Sequence, residues 1–190
     1  MEPGEIFTNW YIQGRKDCKI HIASKNEKLT WLWKLIHKLL VIVTLGKNNR
    51  FYTNTTTTLG RTIYYPAGWT VDTVRLYDCI ILRHEIIHVR QYLKWGFGNI
   101  VLGTFLMAIA YLLLPVPLFF AWFRYKLERE AYWESYRASI ELGLEPQVEH
   151  YAEVLTNSGY FWAWYSKKQV QGWFEKKKRL SAPIKKRLQS

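Results

Sequence analysis

From Trp95 to Phe123 the chain carries no charged residue, a run of about 29 residues in a protein of 190. A helix needs roughly 20 apolar residues to cross a bilayer, so the run is long enough. Such uncharged length is unusual in a small soluble domain, and membrane insertion is the expectation. Pro115-Val116-Pro117 interrupts the run. Proline breaks a helix, and the residue before it avoids the helical region. The segment 96–123 therefore reads as two helical arms turning at a Pro-Val-Pro tip, a hydrophobic hairpin. Gly96-Phe97-Gly98 can redirect the chain where the hairpin begins.

The run is preceded by an apolar-periodic stretch, Val71 to Trp95, with Asp72 as the expected N-cap and Gly96 as the expected stop. Inside it stands His84-Glu85-Ile86-Ile87-His88. Residues four apart on a helix share a face, about 6 Å apart along the axis, so both imidazoles can reach one metal ion. The carboxylate of Glu85 can then reach a water on that ion and take its proton. The bland reading is a histidine-rich amphipathic helix. Against it, two histidines and a glutamate among Ile80, Ile81, Ile86, Ile87 and Val89 are costly to bury without a partner. Zinc is the expected metal, with two imidazole ligands.

A catalytic zinc takes three protein ligands and keeps one position open. The next histidine, His150, is far along the chain, which directs attention to a glutamate on a second helix. Phe120 to Leu142 reads as that helix and offers Glu128, Glu130, Glu134 and Glu141. Glu128, Ala131, Ser135, Ala138 and Leu142 share a mostly small face that lets another helix approach. Glu130, Glu134, Arg137 and Glu141 form a charged stripe, the pattern of a solvated face. Glu128 is the first choice of third ligand and Glu134 the second. The uncharged run sits between His88 and Glu128. A single crossing would put these residues on opposite sides of a membrane, so a shared metal requires the hairpin.

Over roughly residues 55–142 the chain resembles the gluzincin zinc metallopeptidases. Their signature is a His-Glu-x-x-His helix plus a glutamate on a later helix, followed three residues on by a small residue, here Glu128-Arg129-Glu130-Ala131. In much of that group an aspartate follows and orients a histidine ligand, whereas this chain has Tyr132. The resemblance implies a zincin-like metal helix and peptide hydrolysis. It also implies an edge strand beside the metal helix that binds extended substrate by backbone pairing. Phe51 to Thr56 and Arg61 to Tyr65 read as two strands turning near Leu59-Gly60. Thr62, Ile63, Tyr64 and Tyr65 are the substrate-binding residues the resemblance suggests; a plain structural hairpin is the other reading. His150, Tyr151, Tyr160 and Tyr132 are candidates for stabilising the oxyanion.

The expected fold is mainly α with a small β-hairpin, an α+β arrangement in a single domain over 1–190. Ten tryptophans and 17% aromatic residues fit work at a membrane interface. Leu29 to Leu45 reads as an interfacial or core helix, its phase grouping Trp31, Leu35, Leu39 and Ile42, with His37 structural. Met1 to Lys28 is polar and mixed, so no signal peptide is expected. Two cysteines make neither a disulfide framework nor a zinc cluster, and Cys79 reads as a packed core thiol. Gln147 to Leu155 is predicted helical.

The basic aromatic segment 160–190 reads as a headgroup-level helix from Tyr160 to Trp173 and a solvated, partly disordered tail over the last ten residues. From Lys167 to Arg187 it holds nine basic residues and one acidic one. This segment and the hairpin make membrane lipid the expected partner, beside a peptide or protein substrate. A nucleic-acid module is disfavoured, because no such motif accompanies the basic tail. The leading expectation is a membrane-associated zinc metallopeptidase with Glu85 as general base and His84, His88 and Glu128 as ligands. The alternative is a non-enzymatic structural or assembly protein, of a virus or a membrane complex, that keeps a peptidase-like fold.

Overall fold

The computed structural model describes residues 1–43, 49–112, 120–156 and 165–187. The chain is mainly helical with a small three-stranded sheet. It divides into two compact units, Met1–Met107 and Ala108–Ser190.

The first unit is built around the sheet. Its elements are α1 (Pro3–Cys18), β1 (His21–Ser24), α2 (Thr30–Val43), α3 (Phe51–Asn54), β2 (Thr57–Leu59), β3 (Thr62–Tyr65), a single 3-10 turn (Val71–Thr73), α4 (Leu76–Trp95) and α5 (Ile100–Leu112), which runs on into the second unit. Strand order is β1-β3-β2, with β1 parallel and β2 antiparallel to β3. Alternate residues of a strand point to opposite faces. Tyr65 faces α1 and α4: it stacks on Trp69 at 4.0 Å, meets Phe7 edge-on at 6.0 Å and donates its hydroxyl to the Asp78 carbonyl. Tyr64 faces α2, where it packs on Trp33 at 4.7 Å. The sheet is thus covered on both faces. Gly14 lets α1 approach the core, since a Cβ there would lie 2.6 Å from Ile20 and 2.8 Å from Ile86.

Several expectations shift here. Phe51–Thr56 is not a strand: its first four residues form the short helix α3, and β2 begins at Thr57. The β-hairpin is real but carries a third strand, β1, from the segment read as merely polar. Asp72 does not cap α4. It lies in the 3-10 turn, and α4 starts at Leu76, where the Asp78 carboxylate accepts the Arg75 backbone N–H at 2.8 Å. This satisfies one of the amide donors that a helix start leaves unpaired. The stop at Gly96 holds. Phe97 and Gly98 adopt positive φ, and the axis bends by 100° between α4 and α5. Gly103 allows the resulting close crossing, because a Cβ would fall 1.8 Å from the Tyr92 carbonyl oxygen.

Among the described residues no single helix is long and apolar enough to cross a membrane. The bent pair Leu76–Trp95 and Ile100–Ile109 passes by length and composition together. The expected turn at Pro115-Val116-Pro117 lies outside the described residues.

The second unit holds α6 (Phe120–Glu141), α7 (Val148–Thr156) and α8 (Lys167–Arg187). Its core is aromatic: Tyr125, Tyr136, Tyr151 and Phe174 pack with Ala152, Leu155 and Val170. Arg129 lies over the Trp173 ring at 4.4 Å, a cation–π contact. On α8, Val170 and Phe174 turn inward, while Lys167, Lys168, Lys176, Lys177, Lys178 and Arg179 are exposed. The predicted helix from Tyr160 lies partly outside the described residues. Within the predicted solvated, partly disordered tail, 181–190, α8 continues to Arg187, and residues 188–190 lie outside the described residues.

Candidate functional site

The motif histidines stand on the middle of α4, with their rings 5.1 Å apart and inclined at 70°. The i, i+4 spacing puts them on one face, as helix geometry requires. His88 is buried, and its Nδ1 lies 2.9 Å from Gln91 Oε1. A carbonyl oxygen only accepts, so this contact is made by an Nδ1 that carries the proton, and in the neutral form of such a ring Nε2 is the nitrogen with the free lone pair. That is how an outer partner fixes the tautomer and tilt of a ligating histidine. Gln91 sits one turn beyond His88 on the same face.

Glu85 is buried at the centre of the motif. Its Oε2 accepts a 2.7 Å hydrogen bond from the hydroxyl of Thr58, a buried residue at the middle of β2. The Tyr92 hydroxyl donates to the Thr58 carbonyl at 3.0 Å, so α4 grips this strand twice. A buried carboxylate needs donors or a countercharge. Thr58 is a donor, and Lys25 supplies the opposite charge within electrostatic reach. The Lys25 amine is itself buried. It donates to the Phe51 and Thr55 carbonyls at 2.9 and 2.7 Å and lies 3.8 Å from the centre of the Phe51 ring.

Sequence reasoning did not find Thr58 or Lys25. A threonine in the run Thr55–Thr58 and one lysine among many carry no local mark, and β2 and β1 bring them to this place.

Thr58→Val keeps the shape of the side chain and deletes the donor. It is expected to lower folding stability by about 1.5–3 kcal/mol, the range for a lost hydrogen bond to a charged group. Urea unfolding checks this, and Thr58→Ser is expected to recover most of the loss. Equal stability of the valine and serine variants would show that the bond contributes nothing.

Lys25 also makes stability depend on pH. Burial pushes its ammonium down to about 8 from an ordinary 10.5, against the opposing pull of Glu85. Between those values the unfolded chain binds the extra proton, so stability rises with pH. Cys79 opposes this at higher pH. Burial pushes its thiol up to about 11 from 9.0, so the folded chain keeps the proton and stability falls above pH 9. From pH 7.5 to 9 the lysine dominates. Stability should rise by about 1 kcal/mol, roughly 2–4 °C in Tm. Thermal melts check this, and Lys25→Met should abolish the rise; a flat wild-type profile would count against a buried ammonium.

The edge-strand expectation for Thr62, Ile63, Tyr64 and Tyr65 is corrected. These residues form β3, the central strand, paired with His21–Ser24 on one side and Thr57–Leu59 on the other. Its backbone groups are committed to the sheet, so substrate cannot be bound there by strand addition. Ile63, Tyr64 and Tyr65 are core side chains. The edge beside α4 belongs to β2.

In the second unit, Glu128 lies in the first half of α6. The small face assigned to that helix is packed, with Ala131, Ser135 and Ala138 all buried. Glu130 and Glu141 are exposed, as a solvated stripe requires. Glu134 departs from the stripe: it is buried, with the Arg137 guanidinium 3.0 Å from its Oε2. Pairing with arginine offsets the cost of withdrawing the carboxylate from water. Tyr132 and Tyr151 pack against each other at 5.1 Å in the aromatic core, and His150 is exposed. Tyr160 lies outside the described residues. Cys79 is a buried thiol that donates to the Pro3 and Arg75 carbonyls, as a core cysteine does.

No known protein family, curated protein or solved structure matches this chain.

Proposed function

We propose that this chain is a membrane-associated zinc metallopeptidase of gluzincin type, with a zincin-like metal helix. The observation that carries the reading is the arrangement on α4: two adjacent imidazoles, one held at its Nδ1 by Gln91, flank a buried carboxylate. His84, His88 and Glu128 are the proposed ligands, and two imidazoles with one carboxylate are a donor set of the kind that suits zinc. Bound there, the metal would act as a Lewis acid, polarising a peptide carbonyl and acidifying a water. Glu85 takes the proton of the attacking water at a carboxylate oxygen and passes it to the leaving amine. Thr58 holds that carboxylate in place, and Gln91 holds the imidazole of His88.

The membrane part of the reading rests on the uncharged segment 96–123. Within it Phe97, Val101, Leu102 and Phe105 are exposed, an apolar surface that water does not favour. The basic face of α8 is suited to anionic headgroups.

The test is metal content of purified protein, beside hydrolysis of a broad peptide library. About one zinc per chain with cleavage supports the reading. One observation favours the non-enzymatic alternative: Glu85 already accepts a hydrogen bond from Thr58, as a structural carboxylate would. Zinc without any cleavage is the result expected of that alternative.

A further inference from the structure

Helix α2 presents an apolar strip to solvent. Trp33 and Ile36 cover the sheet on its inner side, packing with Ala23 and Tyr64. On the outer side Trp31, Leu35, Leu39 and Ile42 are 68, 47, 52 and 70% exposed. At about 100° per residue these four side chains fall within roughly 80° of arc, one continuous strip. Lys34 and Lys38 are exposed and border the strip on one side. No acidic residue occurs anywhere in the helix. A soluble surface rarely carries four large apolar side chains in a row at such exposure. The strip is a different stretch of the sequence from the uncharged segment 96–123 and from α8.

We infer that α2 docks on an anionic lipid surface. Trp31, Leu35, Leu39 and Ile42 enter the boundary between headgroups and acyl chains, and Lys34 and Lys38 pair with the headgroups. The lysine edge selects lipid over a second copy of the chain. The same face of a second copy offers two more lysines and no carboxylate, whereas an anionic bilayer offers the opposite charge. The net charge of +12 draws the whole chain toward such a surface. The inference extends the membrane part of the proposed function to a new surface. It needs neither metal nor hydrolysis.

The test places an environment-sensitive bimane label at Leu39→Cys in the full chain. Cys18 and Cys79 are both buried and compete little for the label. Vesicles rich in phosphatidylserine should shift the emission to the blue and reduce quenching by acrylamide severalfold. In the same vesicles, Lys34→Gln with Lys38→Gln should raise the lipid concentration needed for this change by roughly 25-fold, about fivefold per lysine.

A label that stays fully quenchable while the protein floats with vesicles would overturn the inference, and the segment 96–123 would then carry the attachment alone. A label already protected without lipid, in particles of dimer size, would overturn it in favour of a second copy. Failure to float with any vesicle would remove the membrane part of the proposed function as well. Metal content would be untouched in every case.

Discussion

Glu85→Gln is expected to lower peptide hydrolysis by about 10²–10⁴-fold, the range that general-base catalysis contributes. The loss should fall on turnover, with bound zinc and the fold retained. The structure says why the fold survives. Glutamine keeps a carbonyl oxygen that can accept the Thr58 hydroxyl, now 2.7 Å from Glu85 Oε2. What glutamine lacks is the charge that takes a proton. That charge also raises the Lys25 ammonium, so the variant should drive the lysine still lower and steepen the rise of stability with pH. The two readouts are independent, because melting curves need no substrate. Undiminished hydrolysis in Glu85→Gln would end the proposed mechanism, whatever the zinc content.

The other large effect concerns the metal. His84→Ala, His88→Ala and Glu128→Ala should each reduce zinc from about one per chain to near zero after dialysis against a mild chelator. Removing one of three ligands leaves a site that competes poorly for zinc. Gln91→Ala should bind 10–100-fold more weakly, roughly the cost of losing an outer partner to a ligating histidine. Glu134→Ala should keep its zinc and lose stability instead, since its carboxylate pairs with Arg137. Metal analysis of the five variants decides among them. Full zinc in Glu128→Ala with loss in Glu134→Ala would move the third ligand by nearly two turns of α6. The proposed donor set would then be wrong.

Local periodicity and composition determined a good deal by themselves. The i, i+4 pair His84 and His88, the stop at Gly96, the corner at Gly96-Phe97-Gly98 and the helices α2, α4, α6 and α7 could all be read from the chain. Each depends on interactions within a few residues, which sequence spacing records directly. The small face of α6 was legible for the same reason. Burial of Glu134 was not, because its phase matched the exposed Glu130 and Glu141 and only packing withdrew it from water.

The sheet shows the limit most plainly. β1 is four residues, His21–Ser24, and it pairs with β3 across some forty intervening residues. Nothing local in that stretch announces a strand, so Thr62–Tyr65 read as an edge when it is the centre. The same long-range pairing fixes β2 as the edge strand beside α4, and so brings Thr58 to Glu85 and buries Lys25 nearby. Tertiary structure alone decides such partners, because a hydrogen bond or a countercharge depends on distance in space and leaves no periodic trace along the chain.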